Sequence, residues 1–234
     1  VALAINKNNP NILYYGYTNI FISENKGETW QALCKIPQWN GVIKKIVLSS
    51  SSDNIFYLLT HNKLWRTKDG GKTWTEILLP YNVDDEPSIL NNFSLEIDYN
   101  DPNLIWLAYA NYSEGNKVFI SETGGEIWSN ISNNLPNIRV NCIKSQHGTD
   151  GGIYAGTDAG VYYFDNTLSE WVLYDENLPN SVITDLEINY QTNKIYAATF
   201  GRGIWLTDLF VKENLKPIAS FTVNNLKPCL MEDI

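Results

Sequence analysis

The sequence predicts an all-β chain of repeated four-stranded units, and three observations carry that prediction. A short apolar phrase recurs five times, as Ile20–Ser23 (IFIS), Leu64–Thr67 (LWRT), Val118–Ser121 (VFIS), Val161–Phe164 (VYYF) and Ile204–Thr207 (IWLT). The phrases end 44, 54, 43 and 43 residues apart, and a fixed period of about 45 residues built of short strands marks a stacked or radial β-array. Trp30, Trp74, Trp128 and Trp171 follow the first four phrases. One such unit cannot bury its own apolar face, so the expected architecture is a β-propeller of antiparallel four-stranded blades, about five of them present.

The first strand of each unit alternates. It reads Val1–Ile5, Ile43–Val47, Ser94–Asp98, Val140–Ile143 and Val182–Ile188, and period-two patterning marks a strand with unlike faces. A polar turn follows at Asn9–Asn11, Asp53–Asn54, Asp101–Asn103, Asp150–Gly152 and Thr192–Asn193. Proline presets φ there, and Asn or Asp bonds its own backbone. The second strand is almost wholly apolar: Ile12–Tyr15, Ile55–Leu59, Leu104–Ala108, Ile153–Ala155 and Ile195–Ala198. Such runs suit strands covered on both faces. The recurring phrase is the third strand, and the Trp residues mark four clear copies of a fourth.

The turn between the third and fourth strands carries the most specific motif. It reads SENKGETW over 23–30, TKDGGKTW over 67–74 and SETGGEIW over 121–128. These segments resemble the Asp-box (bacterial neuraminidase) repeat, Ser/Thr-x-Asp-x-Gly-x-Thr-Trp. The second copy, with Thr67, Asp69, Gly71 and Trp74, matches throughout. The first, with Ser23, Gly27 and Trp30, has Asn25 for the Asp. The third, with Ser121, Gly125 and Trp128, has Thr123 for the Asp and Ile127 for the Thr. The fourth keeps Trp171 and a nearby Asp165, and the fifth has lost the box. The chemistry of the motif is structural: a short acceptor takes backbone N–H groups of its own turn, and glycine supplies φ > 0. The resemblance places this turn away from the catalytic face of such propellers, so Asp69 and Trp74 are expected to hold shape.

The composition changes after Asp208. Pro217–Val223 looks like the first strand of a polycystic-kidney-disease (PKD) repeat, an immunoglobulin-like sandwich that needs about seven strands. The expected organisation is propeller blades over 1–210, a linker over 211–216 and the start of a truncated PKD-like domain over 217–234. Four full blades and three strands of a fifth predict an open arc, or a ring finished by residues beyond this chain, with further domains of the same polypeptide at both ends.

The 234 residues are 44% hydrophobic and 13% aromatic, with net charge −9 and three arginines. Sparse positive charge argues against a nucleic-acid partner. No apolar run approaches the roughly 18 residues of a spanning helix. Cys34, Cys142 and Cys229 form no CxxC pair, and His61 and His147 are far apart, so neither metal nor cofactor is expected. Asn-x-Ser sequons stand at Asn92, Asn111 and Asn130.

Candidate binding residues lie opposite the box turns, in the loops between second and third strands and in the blade connections, where a rigid scaffold concentrates function. Aromatics Tyr17, Trp39, Tyr81, Tyr112 and Phe200 offer flat surfaces to sugar rings or a partner's side chains, or else pack between blades. Arg202, between two glycines, projects from the rim as a ligand contact, or ends in a salt bridge or in solvent. His61 is expected to be a turn residue. Sialidases, similar through the Asp box, hold a substrate carboxylate with three arginines, but Arg66, Arg139 and Arg202 share no strand position. Xyloglucan-specific endoglucanases use two aspartates across a cleft, and an inverting pair needs carboxyls about 6.5–9.5 Å apart. Asp98 and Asp158 are the candidates here, with no motif singling them out. Sortilin-type receptors and photosystem assembly factors, also similar, bind proteins without catalysis. The expectation is a non-catalytic glycan- or protein-binding propeller of a secreted or cell-surface protein, the alternative being part of an inverting xyloglucanase-like hydrolase.

Overall fold

The computed structural model describes residues 2–34, 41–60, 63–80, 93–174 and 176–211. Five antiparallel sheets follow one another along the chain, four with four strands and the last with three. Blade I holds β1 (Ala2–Ile5), β2 (Leu13–Gly16), β3 (Ile20–Ser23) and β4 (Gln31–Cys34); blade II holds β5 (Lys45–Leu48), β6 (Phe56–Leu59), β7 (Leu64–Thr67) and β8 (Thr75–Ile77). Blade III holds β9 (Phe93–Ile97), β10 (Ile105–Tyr109), β11 (Val118–Ser121) and β12 (Ser129–Asn130); blade IV holds β13 (Val140–Ser145), β14 (Ile153–Thr157), β15 (Gly160–Phe164) and β16 (Val172–Leu173). Blade V is β17 (Ile183–Asn189), β18 (Lys194–Thr199) and β19 (Gly203–Asp208). Each Trp of the repeat stands immediately before its fourth strand. The expected strands are all present, with ends that coincide or differ by one or two residues.

Blades pack in chain order through their inner strands, β1 on β5, β5 on β9, β9 on β13 and β13 on β17. The core is accordingly four apolar slabs, one between each consecutive pair of blades. Second strands of the interior blades are buried at every residue, as β6, β10 and β14 show, whereas β2 and β18 in the end blades are covered on one face. Each fully buried Leu, Ile or Phe of these slabs contributes about 1.5–3 kcal/mol of burial. Among the described residues no strand pair joins the first sheet to the fifth, so the blades form an open arc. On the uncovered side of blade I, Tyr15, Phe21 and Trp30 line a shallow hollow of about 380 Å³.

One end of each blade is knitted by backbone bonds, and in four of the five a side-chain cap adds to them. The residue closing the first strand caps the next turn: Asn6, Ser49, Asp98 and Asn189 each accept two backbone N–H groups from two and three residues ahead. The segment that follows the third strand then bonds back to that turn, through Lys26 N to Asn11 O, Gly70 N to Asn54 O, Gly124 N to Asn103 O, Asn166 N to Asp150 O and Leu209 N to Asn193 O, at 2.7–3.0 Å. Inside the hairpins Ser23, Thr67 and Ser121 Oγ accept Gly27, Gly71 and Gly125 N at 2.8–2.9 Å. Asp69 takes Thr73 N at 2.9 Å and Thr73 Oγ1 at 2.6 Å, while Asn25 and Thr123 take the N–H groups of Thr29 and Ile127. Trp30 and Trp74 Nε1 donate to Gly27 O and Gly71 O of their own hairpins. Trp128 and Trp171 instead donate to the preceding blade, at Leu78 O and Ile131 O.

These hairpins also lock blade to blade. Gly125, at φ +96°, is so close to blade II that a Cβ would lie 2.6 Å from Ile77 Cγ2. Arg66 of blade II, 2% exposed, sends Nη2 to Asn103 Oδ1 at 2.6 Å and Nη1 to the carbonyls of Thr123 and Gly124, both in blade III. Its guanidinium lies 5.7 Å from the centre of the Tyr57 ring.

Two outcomes follow. Gly125→Ala combines a positive φ with a side-chain clash and is expected to lower unfolding free energy by about 1–3 kcal/mol in urea titration. The second concerns Asp69, whose carboxyl is held down to about 2 by hydrogen bonds from the Thr73 hydroxyl and then the Thr73 backbone N–H. Its folded pKa lies below the unfolded value of about 3.9, so its stabilisation is complete above pH 4 and is lost as pH falls from there towards 2. Acid unfolding of Asp69→Asn is expected to be less steep over that interval than that of the parent chain.

Candidate functional site

Antiparallel alternation gives the arc two rims. The turns and hairpins just described occupy one. The other carries the loops from second to third strands together with the connections into each first strand. On this loop rim, four side chains from blades III and IV converge.

Asp158 lies in the two-residue turn between β14 and β15. Its Oδ2 accepts Arg139 Nε at 2.9 Å and Tyr112 OH at 3.2 Å, and its Oδ1 accepts Asn141 Nδ2 at 3.0 Å. The same amide nitrogen donates to Ile183 O at 3.1 Å, tying blade IV to blade V. Arg139 enters from the connection before β13, and its backbone carbonyl accepts Asp158 N at 3.2 Å. Tyr112 enters from the β10–β11 loop, its ring centre 5.6 Å from the Arg139 guanidinium carbon. Burial alone would raise the Asp158 pKa, but hydrogen bonds from Arg139 and Asn141 and the charge of Arg139 outweigh it and hold the carboxyl below its ordinary value. The hydrogen bond and charge of Asp158 in turn raise the pKa of Arg139. The product is a fixed carboxylate–guanidinium pair beside a tyrosine that is 59% exposed.

A carboxyl in this state is poorly suited to general-acid work, which needs a raised pKa near the operating pH. Asp98 does not face it. Inner strands β9 and β13 run in the same direction, since Ser94 Oγ accepts Ile143 N and Glu96 Oε1 accepts Ser145 Oγ. Asp98 follows the far end of β9, whereas Asp158 adjoins the start of β13, where Val140 pairs with Thr157. The five residues of β9 extend about 16 Å, and Asp98 is occupied in capping its turn. The two aspartates therefore stand on opposite rims.

The other expected contact residues divide. Tyr17 and Phe200 are exposed on the loop rim, at 48% and 77%, and Arg202 is exposed in the same turn as Phe200, where Gly201 and Gly203 adopt φ of +81° and +76°. Trp39, Tyr81 and His61 lie outside the described residues. Arg139, weighed above only as one of three scattered arginines, and Asn141 are the members of the cluster that no motif marks. The available signal was their place in the connection and first strand opposite the Asp158 turn. The Asn111 sequon is closed in the fold: Asn111 is 2% exposed, and its Oδ1 accepts Ser113 N.

On the hairpin rim, His147 is sandwiched between Tyr99 and Tyr190, with ring centres 4.1 Å apart on each side. Tyr190 OH accepts His147 N and donates to Ser145 O, so the stack joins the inner-strand ends of blades III, IV and V. Just inside it, Lys144 pairs with Glu187 at 2.9 Å and with Glu96 at 3.8 Å. Cys142 is a buried thiol whose pKa burial pushes up to about 12. Among the described residues no group of three or more His, Cys, Asp or Glu is placed to hold a metal ion, and no helix is long and apolar enough to cross a membrane.

Comparison with known proteins agrees with this architecture. The GH74 enzyme of Niastella koreensis superimposes with a TM-score of 0.63 at 15% identity, covering 89% of this chain and 30% of its own. YCF48 from Cyanidioschyzon merolae gives 0.61 at 17% identity, covering 93% of this chain and 70% of its own. The extracellular domain of the two-component system BT4673 from B. thetaiotaomicron gives 0.63 at 19% identity, covering 88% and 26%. The chain thus spans less than a third of the GH74 and BT4673 structures, and at these identities the likeness is one of fold. Among curated proteins, none matches the sequence. A family profile does: that of Sortilin-Vps10 (sortilin, neurotensin receptor 3) matches residues 18–160, more than half of the chain. The chain belongs to the Sortilin-Vps10 family.

Proposed function

We propose that this chain is a non-catalytic binding segment of a propeller that engages a glycan or protein at its loop rim, around Tyr112, Arg139 and Asp158. The observation that carries it is the state of Asp158. Both its oxygens are occupied by donors of the same cluster, so it fixes Arg139 and Tyr112 in place instead of standing ready to move a proton. Tyr17, Phe200 and Arg202 extend the exposed rim on either side; Trp39 and Tyr81 are proposed to join it.

The hairpins at Ser23–Trp30, Thr67–Trp74 and Ser121–Trp128 are, on this proposal, Asp-box turns with a purely structural role. Their acceptors are spent on their own N–H groups, and Gly71 and Gly125 on contact with the preceding blade. Residues 217–234 are proposed as the beginning of a PKD-like domain after a linker over 211–216. A secreted or cell-surface setting fits that organisation and the extracellular origin of the BT4673 domain. A hydrolase of the GH74 type draws support from fold alone, and the separation of Asp98 from Asp158 argues against it.

The test is a combined screen of the purified chain against a glycan array, candidate protein ligands and polysaccharide substrates including xyloglucan. Binding without turnover is expected. Asp98→Asn should leave binding unchanged. Asp158→Asn, which removes the brace from Arg139, should weaken it about tenfold, the size of one lost charge-assisted hydrogen bond. Turnover abolished by Asp98→Asn or Asp158→Asn would defeat the binding reading.

A further inference from the structure

The geometry points to Arg139 as the anchor for a carboxylate, and we propose that this carboxylate belongs to a uronate unit of an acidic saccharide. The proposal rests on the loop-rim reading above and names the ligand class of that site.

Arg139 is held at one atom and open at two. Nε is bound to Asp158 at 2.9 Å, and the Tyr112 ring lies against the guanidinium at 5.6 Å, so its plane is set on two sides. Among the described residues no hydrogen bond engages its terminal nitrogens, and the side chain is 42% exposed. A guanidinium carries five N–H donors in a rigid fork. With Nε spent, the two Nη atoms present parallel donors whose spacing fits the two oxygens of a carboxylate. Asp158 and Tyr112 order the fork before any ligand arrives, which reduces the entropy lost on binding.

The surroundings select the carrier. The site offers one cationic fork in a chain of net charge −9, too little for a polyphosphate or a run of acidic side chains, which need clustered cations. Beside the fork stand Asp158, whose Oδ1 takes one donor, Asn141, and keeps a lone pair for a hydroxyl, and an exposed aromatic ring, Tyr112; Phe200 lies exposed in the corresponding loop of the next blade. A uronate ring presents one carboxylate, several hydroxyl donors and an apolar C–H face, and each has a counterpart here. Asp158 repels the incoming charge, but the donors on it, Asn141 as well as Tyr112 and Arg139, disperse its own.

Calorimetry against galacturonate, glucuronate and mannuronate oligosaccharides, each paired with its methyl ester, tests this without altering the protein. At least one acid is expected to bind about tenfold to a hundredfold more tightly than its ester, the usual worth of a charged hydrogen bond. Arg139→Gln and Arg139→Lys should each abolish that preference, with thermal melting confirming that the variants are folded; the lysine keeps the charge and loses the fork. Equal binding of acid and ester would overturn the proposal, and if Tyr112→Ala then weakened both, the loop-rim reading would stand without it. A glutamate-rich peptide bound in preference to every uronide would overturn the saccharide assignment. Binding of array ligands or proteins unaffected by Tyr112→Ala and Arg139→Gln, but lost on substitution at the hairpin rim, would overturn both.

Discussion

A four-stranded blade with two apolar faces can be covered only by another blade, and every other feature of this chain answers to that constraint. Each of the four core slabs belongs to a pair of blades, never to one. The fixed repeat length follows, because each blade must present its neighbour with the same shape. So does the chemistry of the hairpins, which must be compact enough to seat against the blade before them. Gly125 against Ile77, and Arg66 against the Thr123 and Gly124 carbonyls, are two forms of that contact. One rim is consumed by this work, and the loop rim is left to vary.

Most of the architecture was legible from the chain itself. The third strands are the sharpest case: Ile20–Ser23, Leu64–Thr67 and Val118–Ser121 appear in the structure with the bounds read from the sequence. Third strands repeat strongly because both neighbours of a mid-blade strand constrain its side chains. First strands were less well bounded, as at Lys45–Leu48, because an inner strand borders the open centre of the arc and fewer of its positions need to be apolar. The incomplete ring was likewise legible, and among the described residues β2 and β18 each keep one face less covered.

The candidate site was legible only in part. Tyr112 and Asp158 stood out as an aromatic and a carboxylate in loops expected on the free rim. Arg139 did not, because nothing in a linear spacing of 19 residues announces a salt bridge. The contact exists because the β13–β14 hairpin brings the residue before its first strand beside the turn after its second. Asp98 was misleading for the opposite reason. A carboxylate closing an alternating strand looks like an exposed acid, but its counterparts Asn6, Ser49 and Asn189 show that the position needs only an acceptor for two backbone N–H groups.

Division of labour between the rims is the central claim, and hydrogen–deuterium exchange with and without a bound oligouronide tests it most directly. Added protection is expected around Tyr112, Arg139 and Asp158, with the hairpins at 23–30, 67–74 and 121–128 unchanged. Protection concentrated in those hairpins, with none on the loop rim, would contradict the account.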